Sequence, residues 1–295
     1  MNKFIKRVLA FIFIIVILVA LDTFLQKTLL FRDENLKLPK NIHILILGHS
    51  HAACSYNTKF IKNAVNIATP GEAYIYTYFK AKKVIDNNPQ IKKVFIEFTN
   101  NQIEKGMNNW IWDDIHLQYR IKSCGVLLDN EAIQLLYEKN STGLINAFSK
   151  SLFDNLGCLF VNRKGMVLKG GMGKFTPCDV VYLKKKLPTR RKSRKINNSN
   201  AFEISDYNIL YLEKIVKYCK GKNIQVCLVR SPMSKNYDVS FTEHKFKEIL
   251  LTKFENVEWL DNKDFPIPDK GFQDKEHLNS YGAKFYSQCF NQQIN

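Results

Sequence analysis

The sequence predicts an α/β protein: a three-layer, doubly wound, mostly parallel five-stranded sheet behind an N-terminal membrane anchor helix. Three observations carry this prediction. Several short runs are apolar throughout, as strands buried on both faces are. Segments with apolar residues at helical spacing alternate with them, which implies parallel pairing through right-handed crossovers. The chain also begins with basic residues followed by a long apolar run.

Lys3, Lys6 and Arg7 precede an apolar run from Val8 to Leu21, which alone is shorter than the roughly 20 residues a spanning helix needs. Extended over Phe4 to Leu25, with Asp22 near the far interface, it is long enough. The basic flank puts the N-terminus in the cytoplasm and the remainder outside. An uncleaved anchor over 1–31 is preferred to a cleaved signal peptide, because bulky residues follow Ala20 and no small-x-small site stands out. Residues 32–41, with Pro39, form a polar linker, and the α/β domain occupies 42–295.

The first strand is 42–47, ending at Gly48, and 58–64 suits a short helix. A second strand is expected over 64–68. Residues 72–87 have helical spacing through Tyr76, Phe79 and Val84 and stop before Pro89. A third strand follows at 92–98. Residues 206–219 form an amphipathic helix that stops at Gly221, followed by a strand at 224–229. A helix at 242–254, a fifth strand at 257–260 and a last helix over 280–290 complete the rhythm. The stretch 100–204 breaks it. There lie Trp110, Trp112, a helical patch at 129–138, glycines at 170–173 and a basic run at 184–195. It is read as an insertion forming a cap or rim.

At 295 residues, 45% hydrophobic and 24% charged, the chain is neither disordered nor fibrous. A mean hydropathy of −0.23 is too polar for many membrane spans. Lysine plus arginine is 44 against 27 acids, 44 − 27 = +17. Such an excess suits nucleic acid, an anionic membrane surface or an anionic polymer. The run 184–195 supplies much of it, either as a solvated loop or as a contact with anionic glycan or lipid head groups. Export makes nucleic acid the weakest of these partners. The seven cysteines include no C-x-x-C, and an odd count leaves at least one unpaired. Cys219 and Cys227 read as core residues, and mostly free buried thiols are expected. The glycine cluster fails the phosphate-loop pattern, with Leu168 at the first glycine position and Phe175 after Lys174. No metal-ligand constellation is visible, and no cofactor is expected.

Two segments carry chemistry. Ligands bind beyond the carboxyl ends of strands in an open parallel sheet, and Gly48-His49-Ser50-His51 directly follows the first strand. Ser50 is there either an exposed nucleophile or a plain helix cap. Asp274 stands three residues before His277, just ahead of the last helix. That spacing lets the carboxylate hold one imidazole nitrogen while the other faces a serine, whose alcohol attacks poorly until a base takes its proton. The bland alternative is a helix cap beside a surface histidine.

Together the two segments resemble the SGNH hydrolases, also called GDSL-type esterases, a superfamily of flavodoxin-like fold. The resemblance covers 42–100 and 205–292, and His277-Leu278-Asn279 with Gly282 looks most like membrane-anchored bacterial members. It implies Ser50 as nucleophile, His277 as base and Asp274 as its partner. It further implies an oxyanion hole from the Gly71 backbone and an asparagine, with Asn100 preferred to Asn101. His51 and Asn101 are weak substrate-binding candidates. His49 replaces the family's aspartate before the nucleophile, and the third block lacks its glycine.

The resulting expectation is a membrane-anchored, extracytoplasmic serine esterase or O-acyltransferase acting on acyl esters of a bacterial envelope carbohydrate. A transferase would draw its acyl group from an integral membrane donor protein. The rivals are a non-catalytic glycan-binding envelope protein with a degenerate form of this fold, and a basic nucleic-acid-binding protein.

Overall fold

The structure is a computed structural model and describes residues 2–25, 36–161 and 203–294. The glycine cluster at 170–173 and the basic run at 184–195 lie outside the described residues. The chain divides into two compact units, one of residues 1–37 and 111–169 and the other of 38–110 and 170–295. Residues 100–110 of the expected insertion therefore group with the sheet, and the described residues 111–161 group with the N-terminal helix.

The second unit contains the sheet. Its strands are β1 (Ile44–Leu47), β2 (Ala64–Asn66), β3 (Lys93–Glu97), β4 (Gln225–Arg230) and β5 (Glu258–Asp261). Their order is β2-β1-β3-β4-β5 and every pair is parallel. The doubly wound class is thus observed. Leu45, Ile46, Val94, Phe95, Cys227 and Leu228 are fully buried, which is why these strands read as unbroken apolar runs. β5 lies at an edge and is partly exposed. Ile46, Phe95 and Val229 pack with Tyr286 and Phe290 of the last helix; the Phe95 and Phe290 rings meet edge-on, and Tyr286 is tilted on Phe290.

The helices of this unit alternate with the strands. They are α2 (Ser50–Ser55), α3 (Tyr74–Asp86), α4 (Asn100–Ile103), α8 (Asp206–Gly221), α9 (Ser240–Lys253) and α10 (Ser280–Ile294). A short helix α5 (Met107–Trp112) straddles the division between units. The expected helix at 58–64 is replaced by turns. Asn63 takes a left-handed conformation at φ 56°, which ends any right-handed helix and turns the chain into β2. Asn66 ties β2 to α2, because its Nδ2 donates to Ala52 O at 2.9 Å and Tyr56 O at 3.0 Å.

The first unit contains α1 (Asn2–Leu25), α6 (Asp114–Cys124) and α7 (Asn130–Val161). Residues Lys3–Leu21 of α1 have a mean hydropathy of 2.8 and none is buried. By length and composition this helix can cross a membrane or serve as a signal anchor. Within α7 the helical path breaks at Asn140. α6 and α7 are joined by Lys122 on Asp154 at 2.6 Å and Lys150 on Gln118 at 2.9 Å.

Cys219 and Cys227 are buried and free, as expected, and burial pushes both thiols up to about 12. Cys124 is likewise buried and free and Cys289 is free and partly exposed, while Cys54 is disulfide-bonded.

Candidate active site

Three sequence-distant segments meet at the carboxyl ends of β1, β2 and β3. The first is the turn from β1 into α2. Gly48 takes φ 142°, and a Cβ there would lie 2.5 Å from the Glu97 Cβ. Only glycine therefore lets β1 turn this tightly against β3. His49 is the N-cap of α2, and Ser50 opens the helix.

The second segment is 271–279, folded as a small antiparallel loop. Phe272 bridges Leu278, Gln273 N donates to His277 O at 2.9 Å, and Asn279 N donates to Gly271 O at 2.9 Å. Asn279 fastens both ends. Its Nδ2 donates to Lys270 O at 2.6 Å and Phe272 O at 3.2 Å, and its Oδ1 accepts from Tyr281 N and Gly282 N at the start of α10. Gly282 seats α10 against this loop, because a Cβ there would lie 2.1 Å from Gly271 O.

This loop delivers Asp274 and His277 to Ser50. The Asp274 carboxylate accepts from His277 Nδ1 at 2.9 and 3.0 Å and from the backbone N–H groups of Glu276 and His277, each at 2.8 Å. Nδ1 thus carries the proton, and Nε2 presents its lone pair. His277 Nε2 stands 2.8 Å from Ser50 Oγ and accepts its hydroxyl. Partial burial raises the Asp274 pKa, but hydrogen bonds from His277 and the two amides more than offset this and hold the carboxyl below its usual range. The structure brings Ser50, His277 and Asp274 together as a hydrogen-bonded chain.

Two more histidines surround Ser50. His51 is 1% exposed, with ring centroids 4.8 Å from His49 and 5.0 Å from His277. It is packed behind the serine, which leaves no ring surface for a substrate. Its Nε2 stands 3.7 Å from Glu276 Oε2, beyond hydrogen-bond range, and both ring nitrogens are buried without a hydrogen-bond partner among the described residues. Burial lowers its pKa despite the pull of Glu276. His49 is fully buried, and desolvation, then the neighbouring His51 and His277, hold it well below the usual imidazole range.

The third segment is the loop after β2. Thr69 N donates to Gly48 O at 3.1 Å, which lays residues 66–71 alongside the nucleophile turn. Lys80 of α3 is buried and holds this loop from beneath. Its ammonium donates to Ile67 O and Thr69 Oγ1, each at 2.8 Å, and to Glu72 Oε1 at 2.6 Å. Gly71 sits in the loop so fixed, at φ 66°.

The two asparagines after β3 go to different places. Asn100 is buried, accepts from Arg230 Nη1 at 2.9 Å and donates to Glu243 Oε2 at 2.9 Å. Its carboxamide is committed to an ion network and is not brought to Ser50. Asn101 is half-buried, and its Oδ1 accepts from Thr99 Oγ1 at 2.6 Å. Thr99 Oγ1 is in turn 3.1 Å from His49 Nε2, so Asn101 belongs to the chain of groups that ends at Ser50.

The network around Arg230 was not legible in sequence. This buried guanidinium reaches Asp261 through Nε at 2.9 Å and through Nη2, and Glu243 through Nη1 at 2.8 Å. Glu243 is pulled down to about 2, its partial desolvation outweighed by Arg230 and Asn100. A lone charge closing an apolar strand was the one available signal. Glu97 is a buried carboxylate and accepts from Ser231 N at 2.8 Å and Ser231 Oγ at 2.5 Å. Among the described residues, no group of three or more histidine, cysteine, aspartate or glutamate side chains is placed to hold a metal ion.

One protein-family profile matches residues 178–295, less than half of the chain. No curated protein matches it. Among solved structures, the chain is similar to a candidate acylhydrolase from Bacteroides fragilis, at 11% identity and a TM-score of 0.44, over 91% of this chain and 95% of that one. It is similar as well to a GDSL-like lipase from Bacteroides thetaiotaomicron, at 8% identity and a TM-score of 0.43, over 89% and 92% of the two chains. Likenesses this distant assign no activity, so any functional reading must stand on the site itself.

Proposed function

We propose that this chain is a serine ester hydrolase or O-acyltransferase working through Ser50, His277 and Asp274. The observation that supports this best is the unbroken path from the Asp274 carboxylate through both nitrogens of His277 to Ser50 Oγ, with 2.9 and 2.8 Å contacts on either side of the ring. Ser50 Oγ attacks the ester carbonyl carbon while its proton passes to His277 Nε2. Asp274 holds the ring in the tautomer that can take that proton and balances the imidazolium. The carbonyl electrons move onto oxygen. The N–H groups of Ser50 and Gly71 and the amide of Asn101 suit its stabilisation, each donor worth roughly 3 kcal/mol in sites of this kind. Asn101 is preferred to Asn100 because the Asn100 carboxamide already serves Arg230 and Glu243. When the tetrahedral adduct collapses, the carbon–oxygen bond of the ester breaks and His277 returns its proton to the departing alcohol. The acyl group then rests on Ser50. Water completes a hydrolase cycle, and a sugar hydroxyl completes a transferase cycle.

In this reading α1 anchors the protein in the cytoplasmic membrane with the sheet unit outside, and the substrate is an acylated envelope carbohydrate. An integral membrane protein would supply the acyl group for transfer. The test is hydrolysis of simple acetyl esters by the full-length chain, with Ser50→Ala as control. Equal turnover by both proteins would remove Ser50 from the chemistry.

A further inference from the structure

Ser50 Oγ has a second neighbour. His49 Nδ1 lies 3.3 Å from it, against 2.8 Å for His277 Nε2. The ring orientation of His49 is set from its far side. Thr99 spends its hydroxyl proton on Asn101 Oδ1 at 2.6 Å, so toward His49 Nε2, 3.1 Å away, the Thr99 oxygen accepts. Nε2 of His49 is then the protonated nitrogen and Nδ1 the lone pair. The same lone pair accepts from His51 N at 3.3 Å, which caps α2. Deep burial keeps the ring uncharged, so Nδ1 remains an acceptor. Trp110 closes one side of the ring at 6.4 Å.

We propose that His49 is a positioning residue for the nucleophile: its Nδ1 caps the helix that carries Ser50 and so fixes where Oγ stands before His277, with its ring set by Thr99 and Asn101. This rests on the nucleophile reading above. A serine hydroxyl can rotate freely, and only some rotamers aim both the proton at His277 and the lone pairs at a carbonyl. The one hydroxyl proton goes to His277 Nε2 and the Nδ1 lone pair is taken by His51 N, so His49 acts by holding the turn that carries Oγ rather than by binding the hydroxyl. An aspartate at position 49 would also cap the helix, but it would add a negative charge beside the Ser50–His277 pair. Histidine caps without that charge. The charged and titratable groups near the ring are His51 and His277, with Glu276 behind the first and Asp274 behind the second.

The test uses the full-length chain in detergent and a fluorophosphonate. With that probe Ser50 Oγ forms a bond to phosphorus, the phosphorus–fluorine bond breaks, fluoride leaves and the Ser50 proton goes to His277. The labelling rate reads the reactivity of Ser50 without the natural substrate. His49→Ala is expected to slow labelling about tenfold, which is what one neutral hydrogen bond is worth. In His49→Asn the Oδ1 replaces Nδ1, and most of the rate should return. His49→Gln replaces Nε2 instead, keeps the Thr99 contact, and should label as slowly as His49→Ala. His49→Asp should shift the acid limb of the labelling rate to higher pH, because an added carboxylate favours the imidazolium, whereas His49→Asn should leave that limb in place. These readouts would not move together if His49 only filled space. If His49→Ala does not accumulate as folded protein, the comparison of His49→Asn with His49→Gln decides alone. Labelling of His49→Ala at the wild-type rate, or equal rates in His49→Asn and His49→Gln, overturns the inference and leaves the nucleophile reading standing. Wild-type protein whose labelling does not depend on Ser50 overturns both.

Discussion

Glu97 offers a test of the site's foundation that needs no substrate. It is the last residue of β3 and fully buried beneath the Gly48 turn, with Ser231 donating to its carboxylate through both N–H and Oγ. Desolvation raises its pKa from 4.5 to about 7, against the opposing pull of Ser231 and Arg230. Each pK unit is worth ~1.4 kcal/mol, so ionising this carboxyl costs the folded state on the order of 3 kcal/mol. The folded value lies above the unfolded one, so the effect runs opposite to that of an ion-paired carboxylate. Below pH 4.5 the group is protonated in both states and the cost is absent. Between 4.5 and about 7 the unfolded chain has released its proton while the folded chain keeps it, and stability falls as the pH rises. Above that window the cost is complete. Buried His49 and His51 act in the other direction, since the unfolded chain protonates them first on acidification and stability falls with falling pH. The measurement must therefore be a difference. Glu97→Gln keeps the shape and both contacts to Ser231, whose hydroxyl then accepts from the amide, but has no charge to bury. Urea unfolding of both proteins, followed by tryptophan fluorescence at half-unit steps, should show the wild type losing roughly 3 kcal/mol relative to Glu97→Gln across the window, with unchanged m-values. A difference that stays constant to within about 1 kcal/mol would refute the burial argument for Glu97.

Three further outcomes are expected. Ser50→Ala and His277→Ala should each lower kcat on an acetyl ester by roughly a thousandfold or more, with the double variant little worse than either and Asp274→Asn less damaging; additive losses would show that they do not act as one unit. Lys80→Met should destabilise the fold by about 3–5 kcal/mol in thermal or urea unfolding, because it removes the buried cation that faces the Glu72 carboxylate, and Glu72→Gln in the same chain should recover part of the loss. Gly282→Ala must push the Gly271 carbonyl aside from the 2.1 Å position of the new methyl, so kcat should fall together with stability; a fully active, equally stable variant would show that the 271–279 loop does not need this contact.

How much of this was readable beforehand depended on the range of the interactions. The strands were legible because burial on both faces leaves only apolar residues between Ile44 and Leu47 or between Val226 and Val229. The helix at 58–64 was misjudged because a spacing pattern cannot reveal that Asn63 must turn left to reach β2. In the long helix Asn130–Val161, only the patch at 129–138 showed a pattern, and the break at Asn140 was hidden. Ser50 with Gly48, and Asp274 with His277, lie within three residues of each other, so spacing alone described their geometry. Arg230, Asn100, Glu243 and Asp261 come from four different elements, and no local pattern joins them.

His49 is the instructive case, because its neighbours change its meaning. In sequence it was only a departure from the expected aspartate. In the fold, Thr99 and Asn101 determine which of its nitrogens holds the proton, and burial keeps the ring uncharged. An aspartate at position 49 could cap α2 equally well but would place an ionisable carboxyl beside His277. The choice of histidine therefore bears on the electrostatics around His277 more than on folding. Activity and stability should separate on this basis. Stability in His49→Asn should track the retained cap, and the pH dependence in His49→Asp should track the added charge. If one variant moved both quantities in proportion, the imidazole would be a packing residue and the departure from aspartate would have no chemical content.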